Sequence, residues 1–249
     1  MTVCAGRCPA PDMPIPWLPH DDPEAPFPSV ATALRDPDGL LAAGGDLEPR
    51  RLLRAYRHGI FPWFGPGEPI LWWSPDPRAV LYPERLHVSR RLTRTLRQGR
   101  FGISYDTCFA RVVEACAAPR PESRGTWITP QMQAAYARLH ALGHAHSIEV
   151  WRDGTLVGGL YGIALGQVFF GESMFSRERD ASKVALAHLC ARLRHLGFGL
   201  LDCQVVSGHL LRMGAERVPR SHFLTLLDRL ADARPSAWHT RPEPGEAPA

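Results

Sequence analysis

Residues His146–Leu165 carry the sequence HSIEVWRDGTLVGGLYGIAL, and this stretch decides the fold. Its central pair, Asp153-Gly154, is a strong signal for a two-residue turn between antiparallel strands. The flanking segments His146–Arg152 and Thr155–Leu165 are rich in apolar residues and short enough to be single strands. The stretch therefore predicts a long β-hairpin.

Further elements are predicted on both sides of this hairpin. Strands and helices precede it at Ala79–Tyr82, Arg90–Arg97, Phe101–Tyr105, Thr107–Ala117 and Thr129–Leu142. A strand, a long helix, a strand and a final helix follow it at Gln167–Gly171, Ala181–Leu196, Leu200–Val206 and Arg220–Ala233. This order is typical of GNAT-like (acyl-CoA N-acyltransferase-like) folds, so a mixed α+β/α/β class is predicted, although fold alone gives no function.

Prolines and aromatic residues divide the chain. Residues Ile60–Arg78 contain three tryptophans, two phenylalanines and five prolines, which excludes a regular helix. The aromatic side chains favour packing between two domains, and a stacking surface for a base is the alternative. We predict a flexible extension (1–27), a small N-terminal α/β domain (28–78), a GNAT-like catalytic domain (79–234) and a flexible tail (235–249).

Composition narrows the classes of protein. The chain has 249 residues, 45% of them hydrophobic, and no apolar run approaches the ~20 residues of a membrane helix. The N-terminus lacks the features of a secretory signal. The six cysteines show no paired CxxC spacing, so reduced thiols are expected, with no metal site. We therefore expect a cytoplasmic protein that does not bind membranes and acts as a monomer.

Two polar residues interrupt the apolar strand predicted at Leu200–Val206. Asp202 and Gln204 are two positions apart, so a regular strand would place them on one face and Cys203 on the other. Burial of an unpaired carboxylate or amide costs several kcal/mol, so each requires a partner. The pair is either a structural tie between a loop and the sheet or part of a reaction site.

The segment before the long helix argues against a CoA donor. An acyl-CoA enzyme would have a glycine-rich pyrophosphate loop there. Residues Ser176–Lys183 read SRERDASK instead. Just upstream, Glu172 lies among large apolar residues. It is either a surface acid or one charged wall of an apolar pocket.

Seven short segments occur in the order found in one enzyme family. They are Gly44–Leu47, Gly59–Phe64, Trp72–Arg78, Gly125–Thr129, Gly143–Trp151, Gly171–Ser176 and Asp202–Val205. Together they resemble the leucyl/phenylalanyl-tRNA–protein transferases, over about residues 28–233. The resemblance implies transfer of Leu or Phe, and less readily Met, from aminoacyl-tRNA to the N-terminal Arg or Lys of a protein. The product is a degradation signal of the N-end rule pathway.

The resemblance also implies roles for individual residues. Asp202 and Gln204 correspond to the catalytic pair, and Glu172 to the acid beside the acceptor's N-terminal residue. Aromatic positions implied to contact the aminoacyl-adenosine are Trp63 and Trp127. Positions implied to hold the donor side chain are Leu160, Phe169 and Met174.

A basic helix completes the implied site. Arg90, Arg94 and Arg97 fall on one side at helical spacing, and the family uses this region for the tRNA backbone. A solvated helix face is the alternative, and Thr93 stands where relatives can carry a lysine. The implied partners are Leu-tRNA, Phe-tRNA and proteins that begin with Arg or Lys, without a cofactor.

The chemistry of the reaction limits what Gln204 can do. Aminolysis of an ester requires orientation, loss of the amine proton and protonation of the leaving oxygen. An amide is too weak a base to hold a proton at neutral pH. We therefore expect Gln204 to accept a hydrogen bond from the amine while Asp202 orients it. A non-catalytic tRNA- or peptide-binding module and a CoA-dependent N-acetyltransferase are the other functions considered.

Overall fold

A small sheet forms the N-terminal part of the protein. The computed structural model describes residues 15–119, 126–233 and 238. This sheet has the order β1-β2-β4-β3, in which β1 (Trp17–Leu18) runs parallel to β2 (Leu40–Gly44) and the remaining pairs are antiparallel. Helix α1 (Pro49–Arg57) leads from β2 to β3 (Phe61–Pro62), and β4 (Leu71–Trp73) follows.

Residues 15–27 of the segment predicted as a flexible extension lie within the described chain. Besides β1, residues 19–25 are held to α1 by two arginines. Arg51 donates to the carbonyl oxygens of Pro19 and Asp22, and its Nε lies 2.9 Å from Asp46. Arg54 donates to the carbonyl oxygens of residues 23–25. These contacts fasten the chain before β2 to the helix.

A larger sheet occupies the remainder of the described chain. Its order is β11-β5-β10-β9-β8-β7-β6. The strands are β5 (Arg78–Leu81), β6 (Gly102–Tyr105), β7 (Ala145–Arg152), β8 (Thr155–Leu165), β9 (Val168–Ser176), β10 (Leu200–Gln204) and β11 (Glu216–Val218). The pair β9–β10 is parallel and its neighbours in the sheet are antiparallel. The predicted hairpin at Asp153-Gly154 is confirmed as β7–β8.

Helices cover both faces of this sheet. They are α2 (Arg90–Arg97), α3 (Phe109–Ala117), α4 (Pro130–Ala141), α5 (Ala181–His195), α6 (Gly208–Arg212) and α7 (Arg220–Leu230). One apolar cluster joins α1, α3 and α4 to the sheet, and a second joins α2 and α5 to it. At Gly158 a Cβ atom would lie only 2.6 Å from that of Ala181, so glycine lets α5 pack directly on β8. The predicted mixed α/β class is confirmed.

The structure corrects several predicted boundaries. β9 continues to Ser176 where the sequence indicated an end at Gly171, and β10 ends at Gln204 before the predicted Val206. The short elements β1, β2, β11 and α6 were not predicted, because two to five residues carry too little periodicity. No helix in the described ranges is long and apolar enough to span a membrane.

The parallel strands β9 and β10 separate partway along their length. Their pairing runs through Leu200–Asp202 opposite Val168–Phe170 and then stops. At that point each strand has a register shift against its other neighbour, at Glu172 in β9 and at Cys203 in β10. Bulges bend strands and increase twist, so the two ends diverge. The separation leaves a gap in the sheet, which opens the functional site.

Candidate active site

A cavity of about 540 Å³ opens where β9 and β10 separate. Its polar wall contains Glu172 from β9 and Gln204 from β10. Most of the other side chains that line the cavity are apolar or aromatic. Six of the predicted site residues line it, namely Trp63, Trp127, Leu160, Glu172, Met174 and Gln204. Residues far apart in sequence are thus brought to one place.

The bulge in β10 turns Gln204 into the cavity. Gln204 has φ of 61°, in the left-handed region that a non-glycine residue rarely adopts. Cys203 and Gln204 both line the cavity, whereas Asp202 does not. The prediction that Asp202 and Gln204 share a face with Cys203 opposite is therefore wrong. It assumed regular alternation, which the bulge breaks.

Asp202 lies behind Gln204 in a fully buried ion pair. Arg78 Nε donates to its Oδ1 at 2.9 Å and Arg78 Nη2 to its Oδ2 at 2.7 Å, and neither side chain is exposed. The Arg78 guanidinium lies between the rings of Phe61 and Phe223. Asp202 Oδ1 also accepts the backbone N–H of Gln204 at 2.8 Å. Asp202 therefore positions Gln204 through the main chain and is not free to act as a base.

Glu172 accepts three side-chain hydrogen bonds. Tyr56 Oη and Gln204 Nε2 each donate to its Oε1 at 2.8 Å, and Tyr136 Oη donates to its Oε2 at 2.5 Å. A carboxylate offers about four lone-pair positions, so one remains for a ligand. The three donors come from α1, α4 and β10. Glu172 is thus held where the N-terminal part, through α1, meets the larger sheet.

Burial changes the ionisation of Glu172. Desolvation raises the pKa of its carboxyl group from 4.5 to about 7, against the three hydrogen bonds, which lower it. The negative charge of Asp202 adds a smaller upward effect. At neutral pH the carboxyl group is therefore balanced between its two forms, as is common at functional sites. A bound cation would favour the ionised form.

The Gln204–Glu172 hydrogen bond fixes the orientation of the Gln204 amide. In its ionised form the Glu172 carboxylate can only accept, so in that form the NH₂ group of the amide faces Glu172. The carbonyl oxygen of the amide is left to accept a hydrogen bond from a ligand in the cavity. The polar wall therefore presents one acceptor of fixed direction beside one acid.

The apolar wall continues the core cluster that surrounds α5. Leu160 and Met174 line it, together with three leucines that sequence reasoning missed, Leu186, Leu189 and Leu201. Phe169 lies elsewhere. It is fully buried, does not line the cavity, and its ring stacks near Trp238 with centroids 5.8 Å apart. Its predicted contact with the donor side chain stays a prediction.

Two tryptophans line the cavity. Trp63 is 43% exposed, and its ring meets that of Trp73 edge to face with centroids 5.5 Å apart. The Trp73 indole N–H donates to the carbonyl oxygen of Trp63 at 2.6 Å, which anchors the backbone there. Trp127 lies just before α4 and is half-buried. Both rings can offer faces to a flat ligand.

The arginines of α2 do not line the cavity. Arg90, Arg94 and Arg97 are exposed, and none forms an ion pair with a residue in the described ranges. Ser89 caps the helix by accepting the N–H of Leu92 at 3.3 Å. The helix thus presents three exposed arginines to solvent, and their predicted role in tRNA binding stays a prediction.

Sequence reasoning missed three polar residues of the site. Tyr56 and Tyr136 lie on the buried faces of their helices, where a tyrosine is hard to distinguish from an ordinary core residue. Arg78 ends the segment Trp72–Arg78, and the family resemblance implied no role for it. The feature of the sequence that could have pointed to Arg78 was Asp202, because a buried acid requires a cation or several hydrogen-bond donors as partners.

No group of three or more His, Cys, Asp or Glu within residues 15–119, 126–233 and 238 is arranged to hold a metal ion. Cys108, Cys116, Cys190 and Cys203 form no disulfide bond with one another or with any other cysteine in the described ranges. Burial raises the pKa of Cys203 well above its usual value, which disfavours the reactive thiolate. Cys4 and Cys8 fall outside the described residues.

Comparison with known structures gives only distant similarity. A GCN5-related N-acetyltransferase from Kribbella flavida shares 11% identity at a TM-score of 0.36, covering 66% of this chain and 58% of that one. A functionally unknown conserved protein from Staphylococcus epidermidis shares 11% identity at a TM-score of 0.39, covering 72% and 68%.

Comparison of sequences is far more specific. The family model described as leucyl/phenylalanyl-tRNA protein transferase matches residues 80–228, and that of its N-terminal domain matches residues 45–76. A leucyl/phenylalanyl-tRNA–protein transferase of Aromatoleum aromaticum is 63% identical, over 84% of this chain and 87% of its own. One from Chromohalobacter salexigens is 59% identical, over 92% and 89%. The resemblance inferred from seven short segments is confirmed, and this chain belongs to the leucyl/phenylalanyl-tRNA–protein transferase family.

Proposed function

We propose that this chain transfers Leu or Phe, and to a lesser extent Met, from aminoacyl-tRNA to the N-terminal Arg or Lys of acceptor proteins. Membership of the family makes the chain an aminoacyltransferase. The observation that carries the finer proposal is the Gln204–Glu172 pair, which puts a directed acceptor and an acid side by side next to an apolar wall. The products would carry the degradation signal of the N-end rule pathway.

The donor occupies the apolar and aromatic parts of the cavity. The Leu or Phe side chain packs against Leu160, Met174 and the leucines of α5, where burial of such a group contributes about 1.5–3 kcal/mol. The 3′ adenosine lies against Trp63 and Trp127, whose faces can stack on a base. The donor is already activated as an ester, so no cofactor is required.

The acceptor lies against the polar wall. Its neutral α-amine attacks the ester carbonyl carbon, the new C–N bond forms and the bond to the 3′ oxygen breaks. One amine proton moves to that leaving oxygen through water or the ribose 2′-hydroxyl. The Gln204 carbonyl accepts a hydrogen bond from an amine N–H and so directs the nitrogen lone pair. Gln204 orients the amine and takes no proton.

Glu172 pairs with the guanidinium or ammonium group of the acceptor's first side chain. The free lone-pair position and the buried setting suit a charged hydrogen bond, which leaves a large penalty when the cation is missing. The acceptors are proposed to be cytoplasmic proteins, and the chain is proposed to act as a monomer. The pairing explains a preference for Arg and Lys over neutral first residues.

A single transfer assay tests the proposal. Labelled Leu-tRNA, Phe-tRNA or acetyl-CoA is mixed with a peptide that begins with Arg, and with the same peptide N-acetylated as a control. We expect a one-residue extension from the two tRNAs only, and only on the free amine. Acetyl transfer would support the acetyltransferase, and tRNA binding without extension would support a non-catalytic binding module.

Variants at Glu172 test the acceptor assignment separately. Glu172→Gln should raise KM for Arg-initiated peptides roughly tenfold or more, because a charged hydrogen bond contributes about 1.5–3 kcal/mol, while the KM for Leu-tRNA changes little. Glu149→Gln is the matched control, since Glu149 is also a fully buried acid but does not line the cavity. Equal losses for peptide and tRNA would contradict the assignment.

A further inference from the structure

A second group of basic side chains lies beside the cavity, separate from the exposed arginines of α2. We call Lys183, His209 and Arg212 the rim cluster. His209 lines the cavity from α6, together with Ser207 and Leu210. Burial, and after it the positive charges of Lys183 and Arg212, lower the pKa of His209. Arg212 follows His209 by three positions on α6, which places both side chains on the same side of that helix, beside the cavity wall.

Lys183 belongs to the turn of α5 that faces the cavity. It precedes the cavity-lining residue Leu186 by three positions, which places both on the same side of the helix. Its side chain is 37% exposed, and its Nζ donates to Asp180 Oδ1 at 2.7 Å. Lys183 is thus oriented by a buried acid while part of its side chain remains open to solvent.

Asp180 links the rim cluster to α2. Its Oδ2 accepts from Arg91 Nη2 at 2.9 Å, so one carboxylate is shared by two cations and a net positive charge remains. Arg91 lies on the helix that presents Arg90, Arg94 and Arg97 to solvent. A continuous basic path therefore runs from α2, through Arg91 and Lys183, to the cavity wall at His209.

The donor of the proposed reaction needs such a path. An aminoacyl-adenosine in the cavity is the end of a single strand, and each preceding nucleotide brings one phosphodiester charge to the cavity mouth. Lysine and arginine recognise phosphate oxygens by charge and hydrogen bonding, without reading sequence. We propose, resting on the function proposed above, that the rim cluster binds the phosphodiester groups between the last nucleotides of the aminoacyl-tRNA.

Two leucyl donors that differ by one phosphodiester test this proposal. They are leucyl-adenosine and the leucyl ester of the dinucleotide CpA. KM is measured with each for Lys183→Gln and Arg212→Gln, with an Arg-initiated peptide as acceptor. Arg229→Gln is the matched control, because Arg229 is exposed on α7 and does not line the cavity. Urea unfolding verifies that each variant is folded.

The expected result is a rise in KM for the dinucleotide donor of roughly fivefold or more, larger than any change for leucyl-adenosine. With intact Leu-tRNA, the slope of log Kd against log salt should become shallower by about 0.7 for each lost contact. Equal changes for both donors, or none for the dinucleotide, would overturn the proposal. A wild-type protein that extends the peptide from neither of these donors nor from intact Leu-tRNA would instead contradict the proposed function on which the proposal rests.

Discussion

At the scale of single residues, Gln204 shows how backbone conformation determines chemistry. Its left-handed φ of 61° costs of order 1–3 kcal/mol for a side chain larger than glycine. The bond from its N–H to Asp202 and the bond from its amide to Glu172 hold it there. The residue is therefore fixed at both backbone and side chain, as orientation of a nucleophile requires.

The first prediction concerns Gln204 as an orienting group. Gln204→Glu should lower kcat at least roughly tenfold at every pH, because the new carboxylate cannot donate to Glu172 and repels it. The pH profile of single-turnover transfer is the measurement. Gln131→Glu, on the exposed start of α4, is the control. If the variant kept the full rate with a shifted pH profile, the side chain at this position would have to act as a base.

The second prediction concerns the stability cost of Glu172. The unfolded chain ionises this group near 4.5, whereas the folded protein keeps it protonated up to about 7. The proton that folded Glu172 retains therefore favours folding fully below pH 4.5, and this contribution to stability is lost as the pH rises through about 7. Glu172→Gln should increase the free energy of unfolding at pH 8 by as much as about 3 kcal/mol, with little gain at pH 4.5.

Urea unfolding at the two pH values measures this difference. Glu114→Gln, an exposed acid on α3, is the control and should show no comparable gain at either pH. A Glu172→Gln variant less stable than wild type at pH 8 would show that the tyrosine hydrogen bonds outweigh the cost of burial. The same substitution should weaken acceptor binding, so stability and activity are expected to move in opposite directions.

At the scale of elements, the site depends on where two neighbouring strands stop pairing. The sequence of β10 predicted a strand and a buried polar pair, and both are present. It did not predict the bulge at Cys203, because a bulge depends on the partner strand β5 as well as on the residue itself. The segment Asp202–Gln204 could thus be identified from sequence, but the direction of each side chain could not.

The third prediction concerns the ion pair that supports this strand. Arg78→Leu should destabilise the protein by about 3–5 kcal/mol, because Asp202 is left charged and buried without its partner. The double variant Arg78→Leu/Asp202→Leu should recover much of that loss in urea unfolding. Transfer activity should stay low in the double variant, since the Gln204 N–H loses its acceptor. Recovery of activity together with stability would remove Asp202 from the positioning role.

The fourth prediction concerns the leucines that α5 contributes to the cavity. Leu186→Phe fills space beside Leu160 and Met174, so it should lower kcat/KM for Phe-tRNA more than for Leu-tRNA, by roughly tenfold. Leu142→Phe is the control, since Leu142 is 60% exposed at the end of α4. Competition between the two labelled tRNAs measures the ratio directly. An unchanged ratio would place the donor side chain elsewhere in the cavity.

At the scale of the whole molecule, the active site joins two sheets. Long periodic elements such as β7, β8 and α5 were predictable from sequence, and so was the order that suggested the fold. The short strands β1 and β2 of the N-terminal sheet were not, because their pairing partners lie 20 or more residues away. Glu172 was identified, but its two tyrosine donors were hidden among buried helix residues. Their role arises only when α1 and α4 are packed against β9.

The hydrogen bond from Tyr56 to Glu172 has a consequence for how such enzymes can diverge or be recombined. Because α1 supplies a hydroxyl to an acid on the larger sheet, the N-terminal sheet and α1 cannot be exchanged among relatives independently of the larger sheet. A chimera would inherit a functional centre only if the incoming helix matched the hydroxyl, register and tilt of the original. Substitutions on either side of the junction are therefore constrained to change together.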